Sequence, residues 1–175
     1  MKKIKIYKVI ITFILSFIVH FVYNWIPSFF TSIFFPVNES IWEHMKIIYT
    51  SLLLSSTIEY FIYKNSNLRI NNYLISIPIT SIIGIIIYLI INYLLSLIFS
   101  HNLLISISLL LITYIIAEII SYKILNMKEI KYQKVIGIIL IILSYLIFTY
   151  LTYNPLKIDL FIDPQTKTYG INKRK

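Results

Sequence analysis

The sequence predicts an all-α fold, a polytopic membrane helix bundle with about five transmembrane helices, and three observations carry that prediction. Hydrophobic residues make up 58% of the 175-residue chain and the mean hydropathy is +0.82, far from the usage of water-soluble domains. Charged residues are only 13%, gathered between apolar runs of membrane-spanning length. The basic excess, a net +9, sits at the ends of those runs, where lysine and arginine orient spans and meet anionic headgroups. Outside the runs there is no basic stripe with interleaved aromatics, so this charge does not point to nucleic acid. The absence of cysteine excludes disulfides, thiolate metal sites and cysteine nucleophiles. With only three glycines, phosphate-cradling loops are excluded too, and no Walker, nucleophile-elbow, dinucleotide-binding or zincin motif occurs.

Met1 to Lys8 carries four lysines, and the first span is expected over Val9–Phe30, about 22 residues. A secretory signal peptide also begins with lysines and an apolar core. This core is too long, and only Pro27-Ser-Phe-Phe-Thr follows it, with no small-x-small cleavage site, so a retained helix is expected. Its polar residues Thr12, Ser16, His20, Asn24 and Ser28 are spaced by four. Such a row climbs one side of a helix and suits a close crossing, which makes this an interior helix with a lipid-facing back. The polar hub Pro36–Lys46 comes next, then a second span over Met45–Tyr63, closed by Lys64 to Arg69. A third span over Tyr73–Phe99 contains Pro78 and Gly84 and is long enough to tilt or kink. It carries its own four-spaced row: Ser76, Thr80, Gly84, Tyr88, Asn92 and Ser96. After a short turn at Ser100-His-Asn102, the fourth span covers Leu103–Tyr122 and the fifth Val135–Tyr153, ending at Asn154-Pro155. The chain thus divides into a five-helix transmembrane domain, 1–155, and a short tail, 156–175.

Basic residues in the loops set the expected orientation. Lys2, Lys3, Lys5 and Lys8, then Lys64 and Arg69, then Lys123, Lys128, Lys131 and Lys134 fall on one side. Lys46 and five basic residues of the tail fall on the other. The N-terminus is therefore expected in the cytoplasm and the C-terminus outside the cell membrane. Hub and tail then share the outer face, and the tail is expected to pack near the 36–46 loop. A faint echo links Glu59-Tyr-Phe-Ile-Tyr-Lys64 with Glu118-Ile-Ile-Ser-Tyr-Lys123. Parallel repeats would give it, and so would chance in a Tyr- and Lys-rich chain.

Chemistry has few places to sit. Ser40-Ile-Trp-Glu43 reads as a capping box, with Ser40 capping the second helix, Glu43 bonding back to the Ser40 amide, and Trp42 anchoring at the interface. Glu39 precedes the helix start, where the macrodipole favours an acid. His44 has no structural role on this reading except solvent exposure, so Glu39 and His44 form a candidate cluster for holding a cation or moving a proton. Their spacing is not a diagnostic metal motif. His20 lies about 18 Å beyond Lys8, near the middle of the bilayer. It is either a functional group facing an interior cavity or a neutral imidazole bonded to a neighbouring helix. Asn24 is one turn outward on the same face. Glu59 and Glu118 are within snorkelling reach of the inner interface and are expected to be structural. In the tail, Asp163-Pro164 reads as an Asx turn, and the alternation over Lys157–Asp163 suits an extended segment on an apolar surface. The candidate polar cluster is therefore His20, Asn24, Asn38, Glu39, Glu43, His44, Asp163 and Tyr169, with Asp163 closing it from above.

The hub Asn38-Glu-Ser-Ile-Trp-Glu-His-Met-Lys46 and the tail Leu160-Phe-Ile-Asp-Pro164 … Thr166 … Tyr169-Gly-Ile171 resemble a family of small multi-spanning membrane proteins, mostly from Firmicute bacteria, with no assigned function. The resemblance covers essentially the whole chain. Lys167 stands where that pattern has glycine, which leaves the turn geometry in question. The resemblance supports the architecture and implies no activity, cofactor or metal. Three classes stay open: binding or transport of a small cation, proton or polar solute; a membrane-embedded enzyme, metal-dependent or not, at the outer face; and a non-catalytic subunit with a membrane partner or a second copy of itself. The lipid bilayer is the one partner all three share.

Overall fold

The computed structural model describes residues 2–66, 68, 70–98 and 103–171. The chain is helical throughout: α1 (Lys2–Trp25), α2 (Phe29–Phe34), α3 (Ile41–Asn65), α4 (Tyr73–Ser96), α5 (Leu103–Leu125) and α6 (Gln133–Tyr153), then a 3₁₀ turn at Asp159–Phe161. Among the described residues there is no strand, only an isolated bridge between Ile162 and Tyr169. Four helices, α1, α4, α5 and α6, are long and apolar enough to cross a membrane. The fifth long helix, α3, has 25 residues and is more polar because it carries Glu43, Lys46, Glu59 and Lys64. The first three of these are buried inside the bundle, so its polarity is turned towards protein. The fold is a membrane helix bundle, close to the five spans expected. The expected turn at Ser100–Asn102, together with Arg69 and the last four residues, lies outside the described residues.

The first span differs from its expected bounds for a physical reason. Lys5 and Lys8 lie within α1 rather than ahead of it, and both are buried. Their charges are met by carboxylates from two other helices, so the helix can start earlier than a hydropathy run allows. At the other end α1 stops before Pro27, and Ser28 caps the short α2 through Thr31. This helix turns the chain back into α3.

α3 is the axis of the bundle: it packs on α1 and α4, touches α5 more lightly, and presents buried residues over most of its length. α1 and α4 also pack on α5, and α6 packs on α4 and α2. Ile48 and Leu52 meet Tyr88, Leu109, Tyr114 and Ala117 in one core cluster, while Met45 and Tyr49 meet Tyr145 and Phe148 in another. The four-spaced row of α4 faces inward through Ser76, Thr80, Gly84 and Tyr88, and turns outward by Ser96. Pro78 cannot donate to the Leu74 carbonyl, and Gly137 of α6 closes directly over that carbonyl. A Cβ at position 137 would lie 2.6 Å from Leu74 O. At the Lys5 end, Asn72 sits in the left-handed region, φ 55°, and its amide spans the α5–α6 loop. Its Nδ2 donates to the Ile124 and Lys128 carbonyls and its Oδ1 accepts from Ile130 N.

The segment after α6 folds onto the hub. Phe161 stacks on Trp42 at 4.8 Å between ring centroids, and Asn38 Nδ2 donates to Gly170 O at 2.8 Å. Gly170 has φ +64°, and a Cβ there would sit 2.9 Å from Thr152 O, so only glycine fits without strain.

Candidate functional site

The hub is built on the first turn of α3. Ser40 is the N-cap, its side chain accepting from Glu43 N at 3.3 Å. Glu43 does not bond back to the Ser40 amide, which donates instead to Asn38 Oδ1. The Glu43 carboxylate turns into the bundle. It takes Lys46 Nζ at 2.8 Å, Thr152 Oγ1 at 2.7 Å and Val37 N at 3.1 Å. Lys46 also donates to the Ser32 carbonyl, so this buried pair ties α2, α3 and α6 together. Glu43 thus works inside the hub, with donors on both of its carboxylate oxygens.

Turning Glu43 inward leaves Glu39 and His44 on the other side of the helix start, facing α1. There His20 Nε2 lies 3.5 Å from Glu39 Oε1, and His44 Nε2 lies 3.6 Å from Glu39 Oε2. One potential ligand atom from each of the three residues falls within a 4.8 Å group. The side chains are half-buried, at 23, 29 and 30% exposure for His20, Glu39 and His44, open enough for a small ion to enter. Contacts of 3.5 and 3.6 Å are longer than ordinary charge-assisted hydrogen bonds. His44 Nδ1 lies 2.9 Å from the Ser40 carbonyl, which can only accept. That contact puts a proton on Nδ1 and aims Nε2 at Glu39. The imidazoles tilt over each other at 5.5 Å between centroids, and Phe21 packs edge-on against His20. Beside the triad opens a cavity of about 280 Å³, walled by Phe17, Phe21, Ile107 and Leu110 with Ser16 and Tyr88 on its inner side.

Of the eight residues singled out in the sequence, the fold brings three together: His20, Glu39 and His44. Asn24 is exposed one turn further along α1. Asn38 and Glu43 hold the hub in shape. Asp163 is buried in its own turn, accepting from Gln165 N, Thr166 N and Thr166 Oγ1, and does not close the cluster. Tyr169 makes the bridge to Ile162 and carries Lys157 over its ring. Lys167 adopts φ 59°, the conformation that glycine would take more easily.

The protein family described as a family of unknown function (DUF6512) matches residues 1–171. The chain belongs to that family. No curated protein and no solved structure matches it. Membership of DUF6512 thus covers hub, bundle and tail, and carries no activity with it.

The sequence reading missed a second polar centre. Lys5 Nζ lies 2.7 Å from Glu59 and 3.0 Å from Glu118, and Lys8 Nζ lies 3.1 Å and 2.9 Å from the same two carboxylates. All four are buried. Tyr63 and Tyr73 donate to Glu59, Lys8 donates to Ser56 and Lys5 to Ser121. The available signal was the equal number of acids and bases: Glu59 and Glu118 in spans, and two lysines one helical turn apart on α1.

Proposed function

We propose that the protein is a cation-binding protein of the cell membrane that holds one divalent metal ion of the zinc class between His20 Nε2, the Glu39 carboxylate and His44 Nε2. The observation that carries this reading is the spacing of the donors. Ligand bonds of about 2.1 Å in a tetrahedral site put neighbouring ligand atoms about 3.4 Å apart. The two imidazole–carboxylate distances are 3.5 and 3.6 Å. A carboxylate that uses both oxygens, or turns to offer one, completes the triangle. Two imidazoles with one carboxylate suit zinc and its neighbours better than magnesium or calcium, which prefer oxygen. The Ser40 carbonyl supports the site from behind by holding His44 in the tautomer that frees Nε2.

Three protein ligands leave a fourth position free, beside the 280 Å³ cavity. That cavity supports a second reading, metal-dependent hydrolysis of an amphiphile, with a metal-bound water at the free position. Passage of the cation through the bundle is opposed by the buried, ion-paired Lys5–Lys8–Glu59–Glu118 quartet at the other end, whose two carboxylates are already occupied by the two ammonium groups. The loop lysines favour a cytoplasmic N-terminus, five crossings within residues 1–155 and an extracytoplasmic tail at 156–175. The site then faces outward, with the tail packed near the 36–46 loop as its neighbour.

Metal analysis of detergent-purified protein, loaded with zinc and desalted, tests the reading. About one equivalent per chain is expected for wild type and for Asp163→Asn, and a loss to background for His44→Ala and for His20→Ala. Background metal in the wild type, or full retention in both histidine variants, overturns it.

A further inference from the structure

The cavity beside His20 and His44 sits at a depth where its neighbour outside the bundle is hydrocarbon. Phe17 and Phe21 of α1 form one side, Ile107 and Leu110 of α5 the other, with Ile47 of α3 and Tyr88 of α4 behind them. Both side helices are long and apolar enough to cross a membrane. Phe17 and Phe21 fall about 12 and 6 Å short of the end of α1 at Trp25, an exposed indole of the kind that marks a bilayer interface. Each phenylalanine is 43% exposed, so each ring borders both the cavity and the outer surface of the bundle.

The groups that could hold a metal line this apolar space through His20 and His44, and no lysine, arginine or carboxylate lines it among the described residues. The hub's own lysine, Lys46, is fully buried against Glu43 and the Ser32 carbonyl. A divalent ion on the triad brings two positive charges against the one negative charge of Glu39, leaving a single positive charge. That balance suits one carboxylate or the oxygen of one acyl carbonyl. A phosphate monoester, with close to two negative charges, calls for further cations that the cavity does not supply. The volume of about 280 Å³ lies at the small end of ligand pockets, which run from about 300 to 1,000 Å³, and takes one hydrocarbon chain rather than a pair.

We propose that the cavity is an acyl-chain site. A single chain enters from the bilayer between α1 and α5, lies along Phe17, Ile107 and Leu110, and places its carboxyl or ester carbonyl oxygen at the free fourth position of the metal. This rests on the metal reading above and names the ligand class for the same site. Hydrocarbon is as apolar in the bilayer as in the cavity, so the chain contributes position more than driving force. Once seated, it tethers the oxygen beside the metal and raises its effective concentration there. A free fatty acid and an acyl ester of a membrane lipid share this chemistry.

The test uses the full-length protein in detergent, loaded with cobalt(II) in place of zinc, because the visible absorption of cobalt reports its coordination. Decanoate should shift the cobalt band with an apparent Kd at least tenfold below that of acetate. A shift with decanoate alone assigns the site to free fatty acids, and a shift with monodecanoylglycerol as well assigns it to lipid esters. Ile107→Trp, which fills the cavity, should keep the cobalt spectrum and lose most of the preference for decanoate over acetate. Phe17→Ala, at a half-exposed ring on the opposite side, should weaken decanoate several-fold with acetate unchanged, and serves should Ile107→Trp fail to fold. Decanoate binding no tighter than acetate, a preference that survives both variants, or decyl phosphate binding as tightly as decanoate would overturn this inference alone. A wild-type protein with no bound-cobalt spectrum would overturn the metal reading and this inference with it.

Discussion

Lys5 and Lys8 illustrate how a residue's meaning changes when its partners come from distant sequence. In the linear chain they read as an N-terminal basic cluster of the kind that orients a first span. In the fold each lies within about 3 Å of two buried carboxylates 51 to 113 positions away. Glu59 and Glu118 were legible as structural acids, but their natural partners in sequence are Lys64 and Lys123, each five residues on. Helix geometry could not show that α1 would take those places. A buried group of this kind is sensitive to single removals, because taking away one carboxylate leaves an uncompensated ammonium in an apolar surround. Glu59→Gln should therefore destabilise the protein by about 3–5 kcal/mol, measured by chemical unfolding in detergent. The double variant Glu59→Gln with Lys5→Met restores the charge balance and should recover much of that loss. A Glu59→Gln protein as stable as wild type would mean that the quartet is solvated in the membrane protein. His44 and Glu39 were readable as candidates because the capping box left them without work. His20 was readable from its depth. Their meeting was not, since it depends on Glu43 turning inward to Lys46.

Among the helices, the four-spaced rows were the most informative signal. The row on α1 is buried at Thr12 and Ser16 and reaches the site at His20, and the row on α4 is buried from Ser76 to Tyr88. The boundaries were less legible: hydropathy began the first span at Val9, whereas charge neutralisation lets α1 begin at Lys2. The break at Pro27 and the short α2 also escaped a reading that continued the apolar run to Phe30. Pro78 was expected to tilt or kink its helix, and its structural consequence lies partly in another element. It frees the Leu74 carbonyl, and α6 approaches that carbonyl through Gly137. Gly137→Ala would bring a methyl to 2.5 Å from Leu74 C and 2.6 Å from its oxygen, both backbone atoms that cannot rotate away. We expect this substitution to push α6 off α4 and to cost about 1–3 kcal/mol by chemical unfolding in detergent. Gly84→Ala, where the nearest atom to a new Cβ is 3.5 Å away, should be tolerated. Equal stability for the two variants would show that the α4–α6 crossing is looser than described.

For the molecule as a whole, the proposed orientation is the premise on which the outward-facing site depends, and burial changes how it should be argued. Lys5 and Lys8 are held by Glu59 and Glu118, and Lys46 by Glu43, so none of the three is free to interact with headgroups. Setting them aside leaves Lys2, Lys3, Lys64, Arg69, Lys123, Lys128, Lys131 and Lys134 on the proposed cytoplasmic side, against the five basic residues of the tail. The loop between α5 and α6 carries the most weight in that proposal, because it is short, lies between two spans and holds two exposed lysines, Lys128 and Lys131, with Lys123 and Lys134 exposed on the helix ends beside it. The tail, by contrast, follows the last span, and its Lys157 is occupied over the Tyr169 ring. We therefore expect a C-terminal alkaline phosphatase fusion to be active and a C-terminal green fluorescent fusion to be dark. A cysteine placed at Asn24, exposed one turn from His20, should react with a small membrane-impermeant thiol reagent added outside intact cells. It should be protected when the same reagent is added to the medium of sealed inverted vesicles, which present the cytoplasmic face. Reaction from the inner side only, together with an inactive phosphatase fusion, would turn the molecule over. The His20–Glu39–His44 cluster would then face the cytoplasm, and the cation it holds would have to come from there.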